Sequence, residues 1–411
     1  MKLLIPALLL AAAFVSTSQL DAEAAEPPFV EQFLLKGELA EGEVALLERL
    51  KLDKDNSQLR FELGTLQFLR AIEGLGQSLY RHGRQKQSQW IPFLRIPLPE
   101  NPEPEEISYR KVRHIFLNMQ AELTRAEANL SRVTDRAVMQ RLHFGRIRLD
   151  LNGDGATSED EVLWRIFTTM NRGARITEDM AGRFVIAFDH ADAIWLRGYC
   201  HLLLSMTDII LAHDFQDAFE RTAQLYFPKV DSPYGYLRTS PSSRTWFGSD
   251  TDIADGIAMI HMIRYECTEP KRMMSALHHF EEVVRLSRLN WDAIQAEIDD
   301  DAEWIPNPKQ TGVIPNVRVS PEMIDAWKAF LDEMDAILKG KKLLAHWRIE
   351  NDGINLRRIF TEPTQLDLVL WLQGTAAKPY IEKGELTDQR VWRQLQQVFS
   401  GQFFGFAIWF N

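Results

Sequence analysis

Apolar residues recur every three or four positions along much of the chain, the spacing that places them on one face of an α-helix. The clearest run comprises Val112, Ile115, Phe116, Met119, Leu123, Ala126 and Leu130. Further helices are predicted at residues 158–172, 177–188, 191–213, 215–226, 250–266, 272–298, 320–339 and 364–373. The period fades around residues 138–149, which predicts a short strand, and Asn-Asp-Gly at 351–353 predicts the turn of a β-hairpin near residues 343–360. The pattern therefore predicts a mainly α fold, an irregular multi-helix array of helical hairpins with a few short strands.

Breaks in this pattern divide the chain into five predicted parts. They are a signal peptide (1–24), an N-terminal helical hairpin (25–84), a proline-rich connector (85–105), a central helical domain (106–340), and a C-terminal hairpin and helix packed on that domain (341–411). Helix is excluded from the connector by its prolines at 92, 97, 99, 102 and 104. The apolar tail at residues 403–410 is expected to be buried within the fold.

The first 24 residues carry the features of an export signal. A positive start at Lys2 precedes an unbroken apolar run over residues 3–15, and Ala22-Glu23-Ala24 forms a cleavage pattern. The product is therefore predicted to be exported, to the periplasm or the extracellular space. Residues 191–212 are also apolar, but four polar or charged residues interrupt them, which indicates a core helix and no membrane span in the mature chain.

The junction between the two helices of the N-terminal hairpin has a recognisable pattern. Leu52-Asp53-Lys54-Asp55-Asn56, followed by Leu59 and by Leu63-Gly64, resembles the inter-repeat turn of tetratricopeptide repeats over about 35 residues. The resemblance implies helical hairpins near residues 40–75 that can hold a segment of a protein partner. No 34-residue period connects this hairpin to a weaker echo at 276–294, so a regular solenoid is not predicted and plain helical-hairpin packing is the alternative.

Composition narrows the function classes. The 411 residues include 45% hydrophobic residues, which excludes general disorder. With 47 Lys and Arg against 58 Asp and Glu, the net charge is −11 and there is no long basic run, which argues against a nucleic-acid binder. Two cysteines, Cys200 and Cys267, exclude a disulfide-dense scaffold or a cysteine-rich metal site. In an exported protein they are expected either to pair or to remain as inert thiols.

One motif carries specific chemistry. Residues 150–161, DLNGDGATSEDE, match the calcium-loop pattern D-x-[DN]-x-[DN]-G-x5-E in full register. Alternate residues of such a loop can point oxygens inward, and a glycine at its sixth position allows the sharp turn. The segment resembles an EF-hand loop, which implies a bound Ca²⁺. The implied ligand residues are Asp150, Asn152, Asp154, Ala156 through its carbonyl, Ser158 and Glu161.

The resemblance covers about 25 residues and departs from the family in three respects. The segment before the loop, with Gly145, does not predict a helix; Thr157 stands where an aliphatic residue is usual; and no second loop follows. A lone loop of this kind is similar to variants in exported bacterial proteins, so the calcium is expected to act as a structural clip. A capping box from Ser158 to Glu161 predicts that the outgoing helix begins within the loop. The alternative is a turn that caps a helix without metal.

Polar residues on the central helices keep an enzyme hypothesis open. They are the stripe Arg197, His201, Ser205 and Asp208, the group His278, His279 and Glu282, and the group Asp189, His190, Asp192, His213, Asp214 and Asp217. A zinc or iron site needs three or more convergent ligands, and spacing alone does not say which of these residues meet. No catalytic residue is assigned.

The sequence therefore predicts an exported calcium-binding helical protein with a protein-interaction or scaffold role. A partner would bind through the helical hairpins or the proline-rich segment. The alternative hypothesis is a periplasmic metal-dependent hydrolase with an Asp/His site on the central helices.

Overall fold

A computed structural model of the chain describes residues 27–84, 96–170, 176–236, 251–314, 318–399 and residue 407. The predicted signal peptide, residues 85–95 of the connector and most of the apolar tail lie outside the described residues. Of the tail, Ala407 is described, and it packs against the main hydrophobic core.

Helices make up most of the described chain. They are α1 (Glu31–Lys36), α2 (Leu39–Leu52), α3 (Ser57–Arg81), α4 (Tyr109–Leu130), α5 (Leu163–Met170), α6 (Glu178–Arg183), α7 (His190–Ala212), α8 (Gln216–Thr222), α9 (Thr251–Met262), α10 (Pro270–Ala296), α11 (Pro321–Leu338), α12 (Leu356–Thr361), α13 (Leu368–Gln373) and α14 (Gln389–Val398). The prediction of a mainly α fold is confirmed.

The strands are short and pair antiparallel. They are β1 (Gln140–Leu142), β2 (Ile186–Phe188), β3 (His213–Asp214), β4 (Arg264–Cys267), β5 (Gly353–Ile354), β6 (Leu366–Asp367) and β7 (Ile381–Glu382). β1 pairs with β2, β4 lies between β3 and β6, and β5 pairs with β7. Each pairing joins segments that are distant in sequence.

Four long helices, α3, α4, α7 and α10, pack successively against one another. Their ends follow from local chemistry, because Asn56, Ser108 and Asp189 each cap a helix with a side-chain oxygen. One continuous hydrophobic core runs from Val30 to Phe399, so the N-terminal hairpin and the C-terminal helix α14 share it with the central helices.

The central helix α7 is, among the described residues, the one helix long and apolar enough to cross a membrane. More than half of its most apolar stretch is buried inside the fold. That burial is typical of a core helix of the kind that the sequence predicts.

Three predicted elements differ in the structure. The helix predicted at 250–266 ends at Met262, and its last residues belong to strand β4. The helix predicted at 177–188 ends at Arg183, and its last residues form strand β2, where β-branched Ile186 is fully buried beside β1. The hairpin predicted near 343–360 is reduced to one antiparallel bridge between Leu344 and Ile354. The chain then turns into α12, because Asn355 caps that helix, and β5 pairs with the distant β7 instead.

The cysteines and the connector also have defined positions. Cys200 and Cys267 are both free, and Cys200 is buried. Burial raises the pKa of the Cys200 thiol far above its usual range, which is the behaviour of an inert core thiol. In the described part of the connector, Ile96 and Leu98 are buried against the core.

Candidate calcium loop

The first half of the loop is organised around the carboxylate of Asp150. Its Oδ1 accepts hydrogen bonds from the amides of Gly153 (2.7 Å) and Asp154 (3.2 Å), and its Oδ2 accepts one from Gly155 (3.0 Å). Asn152 Oδ1 accepts a further bond from the Asp154 amide at 2.8 Å. Gly153 and Gly155 have φ values of 73° and 79°, a region that favours glycine. The chain therefore turns sharply where the motif predicts it.

The second half is organised around Glu161, which is only 2% exposed. Its Oε1 accepts hydrogen bonds from the amides of Leu151 (2.9 Å) and Asn152 (3.2 Å). Its Oε2 accepts bonds from both the amide and the hydroxyl of Ser158, each at 2.8 Å. One buried carboxylate thus joins the beginning of the loop to its end.

The two ends of the loop are also joined by backbone hydrogen bonds. Arg148 and Val162 form an antiparallel bridge, and the Leu163 amide donates to the Ile147 carbonyl at 2.8 Å. Val162 has extended backbone, which separates a single 3₁₀ turn, Glu159–Glu161, from α5. The predicted capping box from Ser158 to Glu161 is present. The prediction that it starts the outgoing α-helix is wrong, because the chain extends at Val162 to close the loop and α5 begins only at Leu163.

Helix α3 holds the loop through two polar side chains one turn apart. Gln77 Nε2 donates to the Asp150 carbonyl at 2.8 Å, and Glu73 Oε1 accepts from the Asp150 amide at 2.9 Å. Burial raises the pKa of the Glu73 carboxyl to about 7. Sequence reasoning missed both residues, although their i, i+4 spacing places the two polar side chains on one face of α3.

The corner between α1 and α2 holds the other side of the loop. Thr157 Oγ1 donates to the Lys36 carbonyl at 3.1 Å, and the methyl group of Thr157 lies against Gly37. Gly37 has a φ of 75°, and a Cβ atom there would stand 2.2 Å from the Thr157 methyl carbon. The eighth loop position, where paired EF-hands carry an aliphatic residue, is thus used to dock the loop on the N-terminal hairpin.

Replacing Gly37 with alanine is expected to lower the free energy of unfolding by about 2 kcal/mol, through the left-handed backbone and the collision with Thr157. Adding Thr157→Ser removes the methyl group and keeps the hydroxyl, so the double variant is expected to recover about half of the loss. Urea unfolding of the two variants measures both effects. Equal stability of the single and double variants would contradict this contact.

Hydrogen bonds connect all six predicted ligand residues, since the Ala156 amide donates to Asp154 Oδ1 at 2.8 Å. Their donor atoms are all oxygens, which suits calcium. Asp150 Oδ2 and both oxygens of Asp154 each accept one hydrogen bond and keep a further lone pair, whereas the four lone-pair sites of Glu161 are all occupied by hydrogen bonds, some of which an ion would have to displace. Within the described ranges, no three His, Cys, Asp or Glu side chains form a metal-binding group by themselves. Three of the six predicted ligands are of none of these residue types; they are Asn152, Ser158 and the carbonyl of Ala156.

The structure brings members of the first two candidate groups together, because His201 contacts His279 and His279 lies 3.8 Å from Asp208, whereas the third group is divided between the two ends of α7. Asp189, His190 and Asp192 lie at the first end of α7, and the group at 213–217 lies beyond its last residue, about 35 Å away for a helix of this length. Ser205 donates to the Leu202 carbonyl at 2.6 Å, and no hydrogen bond to His201 is found among the described contacts. The hydrolase hypothesis stays a prediction.

The first end of α7 instead forms a cluster of carboxyl groups. Asp189 caps the helix and lies beside Glu297, and Asp192 and Glu303 are buried next to them. Burial raises the pKa of Glu297 to about 9 and that of Glu303 to about 8, with the neighbouring Asp189 acting in the same direction. Burial likewise raises the pKa of Asp192 well above its usual range. The cluster therefore retains protons at neutral pH.

Comparison of the chain with protein-family models, with curated proteins and with solved structures finds no match.

Proposed function

We propose that residues 150–161 bind one Ca²⁺ as a structural clip in an exported helical protein with a protein-interaction or scaffold role. The observation that carries the proposal is the buried Glu161 carboxylate, which holds both halves of the loop together. The loop is docked on α3 through Gln77 and on the α1–α2 corner through Thr157. An ion that stabilises the loop therefore also stabilises the contacts between the N-terminal hairpin and the rest of the fold.

The negative charge of the loop supports the proposal that it binds a cation. Five acidic residues lie within 12 positions and no Lys or Arg lies among them. Arg148, just before the loop, donates hydrogen bonds to Glu159 at 2.7 Å and to the Ser158 carbonyl at 3.2 Å. The side chains of Asp150, Asp154 and Glu161 form no ion pair with a basic residue among the described contacts. Calcium would supply two positive charges to balance these carboxylates.

Calcium titration of chelator-treated protein tests the proposal. We expect one site by calorimetry and a rise in the unfolding temperature, because a ligand at about 100 times its Kd adds about 2.7 kcal/mol to stability. Asp154→Asn is expected to weaken calcium binding at least about tenfold, since it removes a charge from the ligand set.

The matched control is Asp160→Asn, which removes the same charge six positions further along. The Asp160 side chain is 93% exposed, so calcium affinity is expected to stay within about twofold of wild type. No stabilisation at millimolar calcium, or equal effects of the two substitutions, would contradict the proposal.

The tetratricopeptide-like hairpin carries the support for an interaction role. Helix α2 leaves Val44 and Leu47 exposed, at 62% and 42%, three positions apart on one face. Leu52, at the end of the same helix, is 91% exposed. A partner segment that packs on this helix would cover these side chains.

A further inference from the structure

Two histidine rings meet where α4, α7 and α10 come together, away from the calcium loop. His201 Nδ1 and His279 Nδ1 lie 2.8 Å apart, with ring centroids separated by 5.0 Å. Their side chains are 10% and 17% exposed. Since His201 belongs to α7 and His279 to α10, this contact joins the two helices that pack most extensively in the fold.

The distance between the two ring nitrogens admits one proton. A separation of 2.8 Å is that of a hydrogen bond, in which one nitrogen donates and the other accepts. A neutral imidazole has one N–H group and one lone pair, whereas an imidazolium has N–H groups on both nitrogens. Two facing lone pairs repel each other, and two facing N–H groups collide. The contact therefore requires a single shared proton between the Nδ1 atoms.

Carboxylates face the outer nitrogens of both rings at ion-pair distance. His201 Nε2 lies 3.6 Å from Glu127 Oε1, and His279 Nε2 lies 3.8 Å from Asp208 Oδ2. These carboxylates are themselves fixed, because Arg197 donates to Glu127 at 3.0 Å and Arg272 donates to Asp208 at 3.0 Å. A rotation of either ring that moves its Nδ1 out of the contact also moves its Nε2 away from the facing carboxylate.

The charged and titratable groups around the pair come from all three helices. They are Glu127 of α4, Arg197 and Asp208 of α7, and Arg272, His278, Glu282 and Arg285 of α10. Burial lowers the pKa of His279 to about 4, and the neighbouring His201 acts in the same direction. His279 is therefore neutral near pH 7, and its Nδ1 accepts a hydrogen bond from the Nδ1–H group of His201.

We propose that His201 and His279 form an acid-sensitive latch between α7 and α10. The latch is closed while a single proton lies between the two Nδ1 atoms, and it opens when both Nδ1 atoms are protonated. The latch is independent of calcium. In the unfolded chain His279 titrates near 6.5, so between pH 6.5 and about 4 the unfolded state binds more protons than the folded state. The stabilisation is complete above pH 6.5 and is lost as the pH falls to about 4.

Urea unfolding between pH 7 and pH 4 tests the latch with His279→Asn. The amide of asparagine can form a hydrogen bond near the Nδ1 position but does not take up a proton in this range. Between pH 7 and pH 4 we expect the folding equilibrium constant of the wild type to fall by about 100-fold more than that of the variant, the equivalent of about 2 pH units. His278→Asn is the matched control, because His278 is exposed and adjacent, and it is expected to keep the wild-type slope.

Spectra of protein labelled with ¹⁵N in histidine give a second readout that needs no variant. At pH 7 the His279 Nδ1 is expected to show the shift of an unprotonated acceptor, and to lose it near pH 4. An unchanged acid slope in His279→Asn, or a protonated His279 Nδ1 at pH 7, would overturn the proposal. So would purified protein that carries zinc dependent on His279, because a metal ion would then replace the shared proton. Should His279→Asn not fold, the wild-type spectra decide between these outcomes.

Discussion

Replacing Glu161 with alanine is expected to lower the free energy of unfolding by about 4 kcal/mol even when calcium is absent. The carboxylate accepts four hydrogen bonds, from the amides of Leu151, Asn152 and Ser158 and from the Ser158 hydroxyl. A hydrogen bond to a charged group contributes about 1.5–3 kcal/mol, and these four share one group, so their contributions do not add fully. Alanine would leave three loop amides without their acceptor.

Urea unfolding in excess chelator measures this loss. Asp160→Ala is the control, with an expected change within about 0.5 kcal/mol, because its side chain is 93% exposed. Glu161→Gln keeps the shape and one acceptor oxygen, and we expect a loss of about half that of alanine. A loss below about 1 kcal/mol for Glu161→Ala would mean that the carboxylate does not organise the calcium-free loop. That outcome would leave calcium binding itself to be judged by titration.

Alkaline conditions are expected to destabilise the protein through the carboxyl cluster at the start of α7. Glu297 and Glu303 have folded-state pKa values of about 9 and about 8, above the ordinary value of 4.5. The folded state thus binds more protons than the unfolded state, and the stabilisation, complete below pH 4.5, is lost as the pH rises to about 9. The part of this stabilisation that is lost between pH 7 and pH 9.5 corresponds to about two pH units for Glu297 and about one for Glu303. At about 1.4 kcal/mol per unit the loss is up to about 4 kcal/mol.

Glu297→Gln distinguishes the loss of stability caused by titration of Glu297 from the loss caused by titration of the other residues. Glutamine cannot ionise, so the variant is expected to retain about 3 kcal/mol of the stability that the wild type loses between pH 7 and pH 9.5. Glu100→Gln, at an exposed position, is expected to follow the wild-type curve. Urea unfolding at half-unit pH steps provides the comparison. Parallel curves for Glu297→Gln and the wild type would show that Glu297 is already ionised at pH 7.

The long helices could be predicted from the sequence because their signals are local. Apolar spacing and capping residues such as Asp189 place α7 within one residue of its predicted bounds. Strand β2 could not be predicted, since Ile186 is fixed by Leu142, 44 positions earlier. The six candidate ligand residues follow from a contiguous motif. Their attachment to Glu73 and Gln77, like the contact of His201 with His279, depends on helices packing across long separations, which no short pattern records.

The extended backbone at Val162 has a consequence for how the loop would respond to an ion. Because Val162 and Arg148 already join the two ends, and α3 and the α1–α2 corner hold the sides, the backbone of the loop is preorganised before any cation arrives. Binding then orders little additional chain and costs little conformational entropy. The non-helical residue also uncouples the loop from α5, so an ion entering the loop would not swing that helix. The arrangement suits a structural calcium site rather than one that senses changes in calcium concentration.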